Sequence, residues 1–63
     1  MDTLYSGNVH FQVDQGNGYW ITVNTAYSIT GQVVSMKLKD MKQSYPNNRV
    51  RAVTDSGQLV DIF

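Results

Sequence analysis

Near the end of the chain, four side chains have the types and spacing for recognition chemistry. In "NRVRAVTDSGQLVDIF", Asn48 to Phe63, Arg49 and Arg51 alternate with apolar residues, a Gly-containing turn follows, and Asp61 and Phe63 flank Ile62. Guanidinium groups pair with carboxylates and stack on aromatic rings. A three-residue loop, Asp55-Ser56-Gly57, closing on Thr54 and Gln58 would set Val53 against Leu59, Ala52 against Val60, Arg51 against Asp61, Val50 against Ile62 and Arg49 against Phe63. That register predicts a cross-strand ion pair and a cation–π contact on one side. It also predicts a wholly apolar opposite side made of Val50, Ala52, Val60 and Ile62.

His10 and Asp14 are the other candidates for chemistry, as an acid–base pair. Four residues apart on a strand they stand about 13 Å from each other and cannot touch. His10 reads as a surface residue beside Asn24. No Ser or Thr sits in a nucleophile-elbow pattern. "QGNG" has no following Lys and leads into a strand, so it is a turn and not a phosphate cradle; "DSG" is turn chemistry too. With no Cys, one His and five scattered Asp, disulfides and thiolate metal sites are excluded and a metal cage is not expected. A two-layer chain of this size has little room for a catalytic pocket. The reading is therefore non-enzymatic, with no cofactor.

The elements that must position these residues are legible as three blocks. In "NVHFQVDQGNGYWITVN", Val9, Phe11 and Val13 alternate with His10, Gln12 and Asp14, and Tyr19, Ile21 and Val23 alternate with Trp20, Thr22 and Asn24. A Gly16-Asn17-Gly18 loop sets Gln15 opposite Tyr19, Val13 opposite Ile21 and Phe11 opposite Val23, which keeps both apolar sets on one side. An Asn17-Gly18 two-residue turn would split them, because a one-residue slip flips a strand's face. Gly18 would take the left-handed position that Gly tolerates best. In "SITGQVVSMKLKDMKQSYP", Val34, Leu38, Met41 and Tyr45 fall at i, i+4, i+7 and i+11, one stripe of a helix. Ser28 or Thr30 can cap its start, Pro46 ends it, and lysines in its last turns suit the helix dipole. Tyr45 would seal the helix end against the sheet. The third block is the hairpin already described.

The sum is one domain over residues 1–63: a hairpin at about 8–25, a helix at about 29–45 and a hairpin at about 49–63. This ββαββ order predicts an α+β two-layer fold, with one helix on one face of a four-stranded antiparallel sheet. A crossover that skips the first strand gives the order 2-1-3-4. The uncovered face would carry His10, Gln12, Asp14, Trp20, Thr22, Asn24, Arg49, Arg51, Val53, Leu59, Asp61 and Phe63. Such a face is mostly polar when it meets only water. Val53, Leu59 and Phe63 break that rule, and an uncovered apolar cluster usually marks an interface. The plainer reading tucks Phe63 against the arginine stems.

Composition narrows the function classes. A 63-residue chain buries only about 60% of its unfolded surface, so self-association is a natural support. Beginning with Met, it reads as a whole gene product. Zero net charge argues against a general nucleic-acid binder. Every Lys and Arg lies between Lys37 and Arg51, and Asp2 and Asp14 are the only charges before Lys37. Absent Cys, absent apolar runs of membrane-spanning length and an N-terminus without a basic start or apolar stretch predict a cytoplasmic protein with no membrane partner.

The segment from Tyr19 to Phe63, with its motif "YPNNRVRAV-DSG-LVDI", is similar to small, largely uncharacterised proteins of bacteriophages and prophages. The resemblance covers about two-thirds of the chain and carries no catalytic residues to transfer. It implies a short phage- or prophage-encoded protein in the host cytoplasm that binds a host or phage protein. Together the residues and the resemblance give a small protein–protein interaction module and a homodimer. Its expected binding surface is Trp20, Arg49, Arg51, Val53, Leu59, Asp61, Phe63 and His10. The alternatives are a nucleic-acid-binding protein that stacks bases on the aromatic and arginine side chains, and a small-ligand binder formed only across a dimer interface.

Overall fold

A computed structural model describes residues 2–63. Its elements run β1 (Leu4–Asp14), β2 (Trp20–Thr30), α1 (Gly31–Ser44), β3 (Val50–Thr54) and β4 (Leu59–Ile62). The strands form one antiparallel sheet in the order β2-β1-β3-β4, with α1 packed on one face. The ββαββ order, the α+β class and the skipped-strand crossover expected from the sequence are all present. The first hairpin is longer than expected, because Leu4 and Tyr5 continue β1 to pair with Thr30 and Ile29.

The core follows the alternation. Val9, Phe11 and Val13 of β1, Val50 and Ala52 of β3, and Val34 and Leu38 of α1 are fully buried together. Met41 and Tyr45 continue the helix stripe and pack against this cluster. The Thr30 hydroxyl caps α1 by accepting from Val33 N–H at 3.4 Å, and the Asp2 carboxylate accepts from Gln32 N–H at 3.1 and 3.2 Å. Acidic groups are favoured there by the exposed N–H groups and the dipole. At the other end Tyr45 N–H donates to the Met41 carbonyl before Pro46, and Lys42 Nζ donates to the Asn48 carbonyl at 2.7 Å.

Both hairpin loops have the three-residue length expected. Gln15 N–H donates to the Tyr19 carbonyl at 2.7 Å across Gly16-Asn17-Gly18, and Gly18 is left-handed at φ +74°. Thr54 N–H donates to the Gln58 carbonyl at 2.9 Å across Asp55-Ser56-Gly57, with Gly57 at φ +85°. Beyond the loops the register departs from plain alternation. Val13 is opposite Ile21 and Gln12 opposite Thr22, but Phe11 is opposite Asn24, not Val23. Val53 is opposite Leu59, but Ala52 is opposite Asp61, not Val60. Each edge strand thus carries a bulge, Val23–Asn24 in β2 and Val60–Asp61 in β4.

The two bulges are built alike. Both are Val followed by an Asx residue. The Asn24 Oδ1 accepts from Thr25 N–H at 2.9 Å, and the Asp61 Oδ1 accepts from Ile62 N–H at 2.9 Å. A bulge takes residues out of the regular ladder, and a short polar side chain supplies a local acceptor for the backbone. Phe11 and Ala52, which the bulges face, are opposite each other in the two central strands. Both bulges therefore sit in one row across the sheet, over the middle of the core.

Candidate functional site

The β4 bulge decides which side chains share the uncovered face. Without it Asp61 would stand beside Arg51, as the sequence predicted. With it Ile62 is opposite Arg51, and Asp61 turns to the helix side, where its Oδ2 accepts from the Ser35 hydroxyl at 3.0 Å. Phe63 is opposite Val50, with the two residues exchanging N–H···O bonds of 3.2 and 2.8 Å, so it too is placed on the helix side. The expected Arg51–Asp61 ion pair and Arg49–Phe63 contact do not form. Asp61 and Phe63 leave the open face, and Ile62 joins it. Arg49 is exposed just before β3, its carbonyl accepting from Asp14 N–H at 2.9 Å.

What remains on the open face is ordered in rows across the strands. The first row is Thr22 of β2, Gln12 of β1, Arg51 of β3 and Ile62 of β4. Arg51 Nε donates to Gln12 Oε1 at 2.8 Å, and Gln12 Nε2 donates to Thr22 Oγ1 at 3.2 Å. The Arg51 guanidinium lies over the Trp20 ring, 4.2 Å from its centroid. A cation–π contact thus exists on this face, but both partners differ from the expected Arg49 and Phe63. Its cause is the diagonal reach from β3 across β1 to the end of β2.

The second row is Thr25, His10, Val53 and Leu59. His10 lies beside Thr25 and not Asn24, a shift imposed by the β2 bulge. Its Nδ1 is 3.1 Å from Thr25 Oγ1 and its Nε2 is 2.5 Å from Asp55 Oδ1. Asn8 Nδ2 donates to the other Asp55 oxygen at 3.2 Å. The His10 hydrogen bond, with a smaller contribution from Asn8, holds the Asp55 carboxyl below its ordinary value of 3.8. Sequence spacing could not find this contact, because 45 residues separate His10 from Asp55. The available signal was the β1–β3 pairing, which brings the loop after β3 to the level of His10.

Thr25, His10 and Asp55 have the atom order of a nucleophile, base and orienting acid. The described residues enclose no pocket beside these atoms. The same atoms serve as a clip that ties the β3–β4 turn to β1 and β2. Asp14, four residues from His10, is engaged elsewhere, its Oδ1 accepting from Gly16 N–H at 2.8 Å. Among the described residues no three His or Asp side chains gather as metal ligands, and no helix is long and apolar enough to cross a membrane.

The apolar part of the face is Val53, Leu59 and Ile62. Val53 is almost fully buried, although it lies outside the cluster beneath the helix. Leu59 is 50% exposed. Compared with known proteins, the chain matches no family model, no curated protein and no solved structure.

Proposed function

We propose that this chain is a small non-enzymatic binding module that engages a protein partner through the uncovered face of its sheet. The observation that carries this reading is the pairing on that face of a pre-set aromatic–cation stack with an adjoining apolar patch. Trp20 is held under Arg51, and Arg51 is fixed by Gln12, while Leu59 projects half-exposed beside Val53. Tryptophan and arginine dominate the energetic centres of protein interfaces. Side chains already held in place lose little freedom on binding. In keeping with the resemblance of the Tyr19–Phe63 segment, the partner is proposed to be a host or phage protein in a bacterial cytoplasm.

Affinity capture from a bacterial lysate, with a nuclease-treated lysate in parallel, tests this. The wild-type chain is expected to retain a protein partner in both lysates. Trp20→Ala and Leu59→Lys are expected to lose it while keeping the wild-type circular dichroism. Capture that disappears with nuclease treatment would replace the reading with nucleic-acid binding through the same Trp20–Arg51 platform. Capture unaffected by either substitution would move the site off this face.

A further inference from the structure

Asn is among the chemically labile residues, because the amide nitrogen of the residue after it can attack its side chain. The attack needs a free nitrogen, a free side chain and room between them. Asn residues stand at positions 8, 17, 24, 47 and 48, and the fold ties up all but one. Asn8 Nδ2 donates to Asp55, and Val9 after it is fully buried in β1. Asn24 Oδ1 accepts from Thr25 N–H at 2.9 Å, so the nitrogen that would attack is engaged. Asn48 N–H donates to the Tyr45 carbonyl at 3.2 Å, which occupies the nitrogen after Asn47. The Asn48 side chain itself donates to the Asp14 carbonyl at 2.9 Å.

Asn17 is the exception. It sits at the tip of the exposed Gly16-Asn17-Gly18 loop. Among the described residues neither its side chain nor the Gly18 N–H has a hydrogen-bond partner, although Gly16 N–H and Tyr19 N–H on either side are both engaged. Asn17 is left-handed at φ +57° and Gly18 at φ +74°. The residue that supplies the nitrogen is Gly, with no side chain to shield it. Beyond the adjoining residues, no atom lies within 4 Å of where a Cβ on Gly16 or Gly18 would stand. The loop tip is thus open on both sides, as tips made of small and polar residues tend to be.

From these observations we infer that Asn17–Gly18 is a self-modification site, at which the chain converts Asn17 to aspartate and isoaspartate without an enzyme. The Gly18 nitrogen gives its proton to hydroxide and bonds to Asn17 Cγ. The Cγ–Nδ2 bond breaks, and ammonia leaves with a proton taken from water. Water then opens the cyclic imide at either carbonyl. One opening leaves an ordinary aspartate at position 17. The other routes the main chain through Cγ and lengthens the loop by a methylene. Either product puts a negative charge into the stretch from Gln15 to Met36, which has no charged residue. The isoaspartyl form also disturbs the loop closure, Gln15 N–H to the Tyr19 carbonyl at 2.7 Å and Tyr19 N–H to the Gly16 carbonyl at 3.0 Å. Trp20 opens β2 directly after this loop, with the Arg51 guanidinium 4.2 Å from its ring centroid, so the change reaches the Trp20–Arg51 stack. This chemistry is independent of what the open face binds.

The test is incubation of the folded chain at neutral and mildly alkaline pH, with a guanidinium-unfolded sample in parallel. Chymotryptic cleavage after Phe11 and Tyr19 isolates residues 12–19, which contain no other Asn. Mass spectrometry of that peptide is expected to show progressive loss of the Asn17 form to aspartyl and isoaspartyl products of equal mass, faster as hydroxide concentration rises. Asn8, Asn24 and Asn48 should persist in the folded chain. Asn17→Gly, which suits a left-handed position and has no side chain to cyclise, should abolish both products. The emission of Trp20, the single Trp, should shift as the isoaspartyl form accumulates. An Asn17 that survives in the folded chain as long as Asn24 would overturn the inference. So would products that form at the same rate at every pH. An unchanged Trp20 emission in the modified chain would refute the reach of the change to the Trp20–Arg51 stack.

Discussion

At the residue scale, Arg51 is the side chain whose role most depends on its neighbours. Its guanidinium stacks on Trp20 and its Nε is held by Gln12, so removing it should change the surroundings of the single Trp. A double-mutant cycle with Arg51→Ala and Trp20→Ala is expected to give a coupling of about 0.5–1 kcal/mol, read from denaturant melts. The parallel cycle of Arg51→Ala with Asp61→Ala should give none, because the β4 bulge separates these residues. Asp55 predicts a pH effect. Its folded-state pKa is depressed by His10, so the unfolded chain takes up the proton more readily. The stability it adds is present above the ordinary value of 3.8 and is lost as pH falls through the lower folded-state value. Thermal melts across that acid range should show a drop that is smaller in Asp55→Asn.

At the element scale, the bulges and the helix cap carry the fold's specificity. Asp61 serves two partners, the Ser35 hydroxyl and the Ile62 N–H, and both are part-buried. Asp61→Ala leaves them without that acceptor and is expected to cost about 1–2 kcal/mol in chemical denaturation. Had Asp61 been one half of an exposed ion pair, the cost would be about 0–1 kcal/mol. Thr30→Ala removes the hydroxyl that caps α1 at Val33 and should cost about 0.5–2 kcal/mol.

At the scale of the whole molecule, the sheet has one face that stabilises and one that is available. Leu38 is fully buried between helix and sheet, and Leu38→Ala is expected to destabilise the fold by about 2–5 kcal/mol. Leu59→Ala, at a half-exposed position on the other face, should cost less than about 1 kcal/mol. Calorimetric melts of both variants check the contrast. Equal costs would mean that the open face is as well packed as the core. Phe63→Ala belongs with the helix side by register and is expected to lower stability, since Phe63 closes the β3–β4 ladder opposite Val50.

The sequence by itself determined the elements, their order and the core. Those rest on local physics: period-two alternation in Val9, Phe11 and Val13, the helical stripe of Val34, Leu38, Met41 and Tyr45, and glycines at left-handed turn positions. It also determined both loop lengths; at the first hairpin the two-residue alternative would have split the apolar sets between faces. Only the tertiary structure decided the composition of the open face. Alternation assumes an unbroken strand, and a single bulge reverses every side chain beyond it. The bulges at Val23–Asn24 and Val60–Asp61 leave a trace in the sequence, a Val-Asx pair inside a strand, but an Asx residue there can also simply face solvent. What fixes it as a bulge is non-local. In β4, Ser35 on the helix offers Asp61 a hydrogen-bond donor, and Val50 takes Phe63 as its ladder partner. Ile62 is then left to stand beside Arg51 on the face turned away from the helix.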